Sequence, residues 1–192
     1  MSTKLSIIVG STRPNRIGDV IGQWFHARAV QNGKFNVELI DLAEIDLPMY
    51  DEPKHPSLQS YEHDHTKHWA TIVSAADAYV FVTPEYNYGP PPALINALNY
   101  VYKEWNYKPA GFVSYGGVSG GIRAVQVEKL ILTTLKIVPL VEAVVVPMVQ
   151  QFLVDGRFRG SELHEQAATV MLEELFRWAE ALKTLRHSAN RA

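Results

Sequence analysis

Apolar residues follow two periods along this chain, and the switches between them outline its elements. Leu5 to Val9 (LSIIV) is a short β-branched run ended by Gly10, which predicts a buried strand. From Ile17 to Val30 the apolar positions move to helical spacing, with Ile17, Val20, Ile21, Trp24 and Phe25 on one side and Gly33 as a stop. Asn36 to Leu42 alternates and predicts a second strand. Ala43 to His65 is polar and carries Pro48, Pro53 and Pro56, which predicts a long ordered loop. Thr66 to Ala76 predicts a helix buried through Trp69, Ile72 and Val73. Ala78 to Thr83 (AYVFVT) is the clearest strand, Pro84 to Pro92 a loop, and Ala93 to Glu104 a helix with Leu94, Leu98 and Val101 inward. Ala110 to Tyr115 is a fourth strand. Ser119 is a candidate cap for a helix running to Lys136, and Val141 to Val146 is a fifth strand. A stripe of Leu163, Ala167, Met171, Leu175, Trp178, Leu182 and Leu185 predicts a long final helix with this face in the core, and a polar tail expected to fray from Lys183 to Ala192.

Strands and helices therefore alternate five times. Near-continuous apolar strands imply a parallel sheet covered on both faces. Five such units suit an α/β three-layer sandwich of strand order 2-1-3-4-5, within one domain over residues 1–192. Ligands of such sheets bind outside the carboxyl ends of the strands, where strand order reverses. That rule selects the turns after strands one, three and four, the most unusual segments in the chain.

Composition narrows the function. Of 192 residues, 47% are apolar and 20% charged, which argues against disorder. Eighteen basic and 20 acidic residues give a formal charge of −2, with no basic field for nucleic acid. There is no cysteine, so disulfides, thiolate metal sites and cysteine nucleophiles are excluded, and a cytoplasmic location is expected. The opening residues carry no signal-peptide pattern, and no window approaches the roughly 18 apolar residues of a membrane span.

The first turn, Gly10-Ser11-Thr12-Arg13-Pro14-Asn15-Arg16-Ile17-Gly18, opens a helix. Backbone N–H groups and the helix dipole favour an anion there, and hydroxyls and guanidinium groups suit phosphate. It is neither a triphosphate nor a dinucleotide fingerprint, so a terminal phosphomonoester is the better match; a polar cap with solvated arginines is the alternative. The second turn, Thr83 to Pro92, combines stiffening prolines with Glu85, Tyr86, Asn87 and Tyr88, a mixture of plane and edge contacts suited to a flat polar heterocycle. The third, Tyr115-Gly116-Gly117-Val118-Ser119-Gly120-Gly121, has four glycines in six residues and lets backbone approach a ligand. A proline-rich closure and a tight connection are the respective alternatives.

Together, GSTRPNRIG, TPEYNYGPPPALINALNY and SYGGVSGGIRA resemble the NADPH-dependent FMN reductase family, a branch of the flavodoxin-like superfamily that includes quinone, azo-compound and chromate reductases. The resemblance runs to about Val146. It implies a flavodoxin-like fold and FMN held by Ser11, Arg13, Arg16, Ile17 and Gly18 at the phosphate. Pro84, Glu85, Tyr86 and Asn87 would hold the ring edge, and Ser114, Tyr115, Gly116 and Gly117 its other side. Pro14 and Arg16 stand where some members place serine and asparagine. The implied activity is ping-pong, two-electron transfer from NADPH or NADH through FMN to a small acceptor (a flavin, quinone, azo compound or metal oxyanion). The chemistry is on the flavin and no side chain is catalytic. Arg13, Arg16 and Arg123 would favour NADPH by offering charge to a 2′-phosphate. A homodimer or homotetramer is implied as well. A non-enzymatic FMN electron carrier, or a flavin-free binding module on the same fold, is the alternative.

Two further clusters stand out. His55, His63, His65 and His68 lie near Glu62 and Asp64; a metal site is one reading, and a polar loop leading into a helix capped by Asp64 is the preferred one. Tyr100, Tyr102, Trp105 and Tyr107, with Met49 and Tyr50, are expected at a subunit interface.

Overall fold

The computed structural model describes residues 2–189. In chain order it contains β1 (Thr3–Val9), α1 (Gly18–Asn32), β2 (Phe35–Asp41), α2 (Leu42–Ile45), α3 (Asp64–Ala75), β3 (Ala78–Pro84), α4 (Pro92–Tyr100), β4 (Pro109–Tyr115), α5 (Ile122–Thr134), β5 (Val138–Val146), the short strands β6 (Leu153–Val154) and β7 (Arg157–Phe158), and α6 (Glu162–Ala189). Five parallel strands form one sheet in the order β2-β1-β3-β4-β5, as the alternation predicts. All seven residues of both β3 and β4 are buried, which is why these strands read as unbroken apolar runs.

Helices α1 and α6 cover one face of the sheet, through Ile21, Trp24, Phe25, Met171 and Leu175. Helices α3, α4 and α5 cover the other, through Trp69, Val73, Leu94, Leu98, Val125 and Leu132. Gly33 ends α1 in the left-handed conformation at φ 75°, the role expected of it. Gly111 leaves room for α6: a Cβ there would lie 2.7 Å from Met171 Sδ.

Three expectations need correction. Tyr100 and Trp105 belong to the core and not to a surface: both are 0% exposed. Helix α4 stops at Tyr100, and a 3₁₀ turn at Lys103–Trp105 folds Trp105 back onto Trp69 and Tyr79. The indole N–H groups remain satisfied, Trp105 donating to the Leu98 carbonyl and Trp69 to that of Ala97, so burial costs no unpaired donor. Second, the buried line of α6 is Ala168, Met171, Leu172, Leu175, Ala179 and Leu182, while Leu163, Trp178 and Leu185 are exposed. Met171, Leu175 and Leu182 of the predicted stripe are in this line and Ala167 packs against it, while the small Ala168 and Ala179 complete it and let the helix approach the sheet. Third, the segment from Lys183 remains helical as far as Ala189; the rest of the tail that was expected to fray lies outside the described residues.

The long segment after β2 is ordered, as expected, and contains α2 and a 3₁₀ turn at Pro56–Leu58. The Glu52 carboxylate accepts the backbone N–H groups of Glu62 and His63 at 2.9 and 3.0 Å, closing the loop on itself. The hairpin of β6 and β7 has no counterpart in the sequence reading, since two-residue strands carry no period.

Candidate functional site

A cleft of about 360 Å³ opens at the carboxyl ends of β1, β3 and β4. Ser11, Arg13, Arg16, Ile17, Pro84, Glu85, Tyr86, Tyr115, Gly116 and Gly117 line it. The topological rule thus gathers the three turns around one cavity.

The first turn supplies a polar end. Gly10 N–H donates to the Val82 carbonyl at 3.0 Å, tying the turn to β3. Ser11 is buried, and its Oγ lies 2.6 Å from Tyr86 Oη. No side chain caps the start of α1, so its first N–H groups are left to a ligand or water. The three arginines counted toward phosphate differ sharply. Arg16 turns to Asp41, at the end of β2, with Nη2 to Oδ2 at 2.5 Å. That hydrogen bond raises the pKa of the guanidinium, and Arg16 Nε is buried without a partner. Arg123 is paired with Glu85. Arg13 lines the cleft and faces no carboxylate among the described residues. The charge argument for a 2′-phosphate is correspondingly reduced from three cations to one.

The second turn is a two-residue reversal. Tyr86 and Gly89 exchange backbone hydrogen bonds of 2.8 and 2.9 Å around Asn87 at φ 50° and Tyr88 at φ 68°. Asn tolerates this conformation; Tyr does so at a cost. The Arg123 guanidinium lies 3.9 Å from the Tyr88 ring centroid and its Nε donates to Glu85 Oε1 at 2.7 Å. Glu85 Oε2 accepts Ser119 Oγ at 2.9 Å. The Arg123 hydrogen bond is the largest cause holding the Glu85 carboxyl below its ordinary range. Glu85 therefore joins the second turn to the third, and Ser119 serves that link, leaving Gly121 as the N-cap residue of α5. Asn87 sits at the exposed tip, outside the cleft lining.

The third turn brings bare backbone to the wall. A Cβ on Gly117 would meet nothing within 4 Å, so that position faces open space. Gly121, at φ 83°, must be glycine: a Cβ would lie 2.9 Å from Tyr115 N and O. Gly18 is also outside the lining, since it sits behind the wall where a Cβ would come within 2.6 Å of Tyr115 Oη. Ser114 is fully buried, points to the α5 side and has an unpartnered Oγ. Burial raises the Tyr115 phenol well above its usual range, so it stays neutral.

A fourth segment was missed. Met148, Val149, Gln150 and Gln151 also line the cleft, as does Asn15 of the first turn. Met148 and Val149 N–H donate to the Gly117 and Gly116 carbonyls at 2.8 and 3.0 Å, closing the end of β5 over the glycine turn. The carboxyl-end rule applies to β5 as well and could have found it.

These residues fit FMN. The open helix start, Ser11, Arg13 and the orphaned Arg16 Nε suit a phosphate monoester. Pro84, Tyr86, Tyr115 and Val149 offer flat apolar walls, and Gly116 and Gly117 offer backbone at close range. For metals, among the described residues no three His, Asp or Glu side chains gather to hold an ion. His63 and His65 stack at 5.1 Å, and His65 Nε2 lies 3.0 Å from Asp51 Oδ1. His63, not Asp64, precedes the first residue of α3. Among the described residues no helix is long and apolar enough to cross a membrane.

Comparison with known proteins points the same way. Residues 3–151 match the family model described as NADPH-dependent FMN reductase. An NAD(P)H-dependent FMN reductase of Schizosaccharomyces pombe is 37% identical over 150 residues, covering 77% of this chain and 75% of that protein. One of Saccharomyces cerevisiae is 39% identical over 129 residues, covering 61% of this chain and 67% of that protein. The structure of FerB, a flavoenzyme NAD(P)H:(acceptor) oxidoreductase from Paracoccus denitrificans, superposes with a TM-score of 0.74 at 21% identity, over 93% of this chain and 98% of that one, and so shares its fold. On the family match and on a relative above one third identity, set on a five-stranded flavodoxin-like sheet, this chain belongs to the NADPH-dependent FMN reductase family.

Proposed function

We propose that this chain is an FMN-dependent NAD(P)H oxidoreductase that reduces a small acceptor, with FMN seated in the cleft at the ends of β1, β3 and β4. The observation that carries the reading is the polarity of that one cleft: anion donors at α1, flat walls and bare backbone at the other turns. Bound FMN supplies the two-electron carrier that no side chain here can replace. The residues supply everything else. Ser11, Arg13 and the start of α1 bind the phosphate, with Arg16 contributing its free Nε while Asp41 holds its other end. Pro84, Glu85, Tyr86 and Tyr115 orient the ring, and Gly117 brings its N–H to it, while Gly116, whose N–H donates to the Val146 carbonyl at 3.2 Å, holds the turn against β5. Gly18, Asn87 and Ser114 act behind or beside that wall, by close packing and turn shape. The open mouth beside exposed Gly117 and Tyr88 admits nicotinamide and acceptor in turn.

The reading includes a single domain over residues 1–192, supported by α6 packing on the same sheet beyond the family match. It includes a homodimer or homotetramer, supported by exposed Met49 and Leu58 beside an apolar groove along α4. Cytoplasmic operation is supported by the absence of cysteine.

The test is an absorbance spectrum of protein supplied with FMN and dialysed, then given NADPH without oxygen. Retained flavin bands that bleach without a long-lived one-electron species are expected. No retained flavin would remove the reading in favour of a binding module.

A further inference from the structure

A carboxyl group lies in the apolar layer directly beneath the cleft. Glu128, on α5, is 1% exposed. Its Oε1 meets the Thr83 hydroxyl, and its Oε2 is buried with no hydrogen-bond partner. The same Thr83 hydroxyl lies 3.3 Å from the Pro84 carbonyl oxygen. Pro84 ends β3 and lines the cleft.

One hydroxyl hydrogen cannot serve two acceptors. With Glu128 ionised, Thr83 donates to it, the Pro84 carbonyl loses that donor, and a charge sits half-paired among apolar groups. With Glu128 protonated, its own hydrogen goes to Thr83 Oγ1 and the Thr83 hydrogen goes to Pro84, so each donor has an acceptor. The surroundings favour the second arrangement. Among the described residues Thr83 on β3 is the side chain that meets the carboxyl, and no charged or titratable group of β3, β4, β5 or α5 pairs with it. Ser114, opposite Thr83 on β4, is itself unpartnered, and Lys129 lies over the Phe112 ring instead. Desolvation outweighs that single hydrogen bond and pushes the acid up to about 8.

We infer that Glu128 is a positioning residue for the cleft: neutral, it fixes the Pro84 carbonyl through the Thr83 hydroxyl and keeps the second turn in its binding shape, and its ionisation releases that hold. The inference rests on the FMN reading of the cleft only for its ligand readout.

The experiment compares wild type with Glu128→Gln, whose amide donates to Thr83 at every pH. FMN dissociation constants are measured from pH 6 to 9.5. The two proteins are expected to bind alike at pH 6.5. Above about pH 8 the wild-type constant rises, by up to about tenfold in all as the neutral acid is lost and one hydrogen bond with it, while that of the variant stays flat. Parallel profiles overturn the inference. If neither protein binds FMN at pH 6.5, the FMN reading fails and Glu128 is judged on the ligand-free protein. Amide exchange at Tyr86 and Gly89 must then accelerate in wild type relative to the variant above the same pH, and a constant ratio overturns the inference. If Glu128→Gln does not fold, wild type alone decides. Loss of the infrared band of a buried protonated carboxyl must coincide with weakened binding, and a band that persists through pH 9.5 overturns the inference.

Discussion

Arg13 and Arg16 lie one turn of chain apart and read alike in the sequence, yet their charges are spent differently. Asp41 claims Arg16 from the end of β2, and Arg13 is left facing the cleft. Removal of Arg13 should therefore be felt by an anionic ligand and hardly by the fold. Arg13→Ala is expected to weaken FMN binding by tenfold or more, since a hydrogen bond to a charged group contributes about 1.5–3 kcal/mol, and to leave the unfolding midpoint unchanged. Titration of flavin fluorescence reads the first and thermal unfolding the second; an unaltered dissociation constant would put Arg13 in solvent. At this scale the sequence marks residue types well and their partners poorly. Nothing local tells Arg16 from Arg13, because Asp41 is brought near only by the pairing of β1 with β2. Ser114 is a different case: strand alternation, a local property, turns it to the α5 side of the sheet, while Tyr115 beside it faces the cleft.

The second and third turns behave as one element. Glu85 reaches Ser119 and Arg123, and Arg123 stacks on Tyr88, whose backbone sits in a conformation that tyrosine adopts at a cost of about 1–3 kcal/mol. Arg123 is half-exposed, so its ion pair is discounted for solvent and its stacking serves mainly to shape the turn. Arg123→Met is expected to lower stability slightly and to weaken FMN binding severalfold through a loosened turn. Urea denaturation and FMN titration measure the two. A loss of stability with unchanged affinity would mean that the clamp does not shape the cleft. The turns themselves were legible from glycine and proline; their mutual clamp was not, because residues 85 and 123 are joined by folding and not by spacing.

For the whole molecule, the apolar groove of about 690 Å³ between α4 and the long loop, lined by Met49, Tyr50, Ile95, Val101, Tyr102 and Leu135, is the surface that argues for association. Sedimentation at micromolar concentration is expected to give a dimer or larger, and Met49→Asp, placing a charge on a residue 78% exposed, to shift it toward monomer. A wild-type monomer would end that argument.

What the sequence determined was whatever depends on neighbours in the chain. Periodicity placed the strands and main helices to within a few residues, alternation imposed a parallel sheet, and glycine and proline marked the three turns that meet in the cleft. The tertiary structure decided everything that depends on distance between remote segments: which arginine stays free, that Trp105 is core, which line of α6 is buried, that the end of β5 closes the cleft, and that Glu128 is buried against Thr83. The reason is physical. Local pattern fixes the backbone state and the apolar side of each element, whereas charge pairing, desolvation and close packing act only after the elements meet.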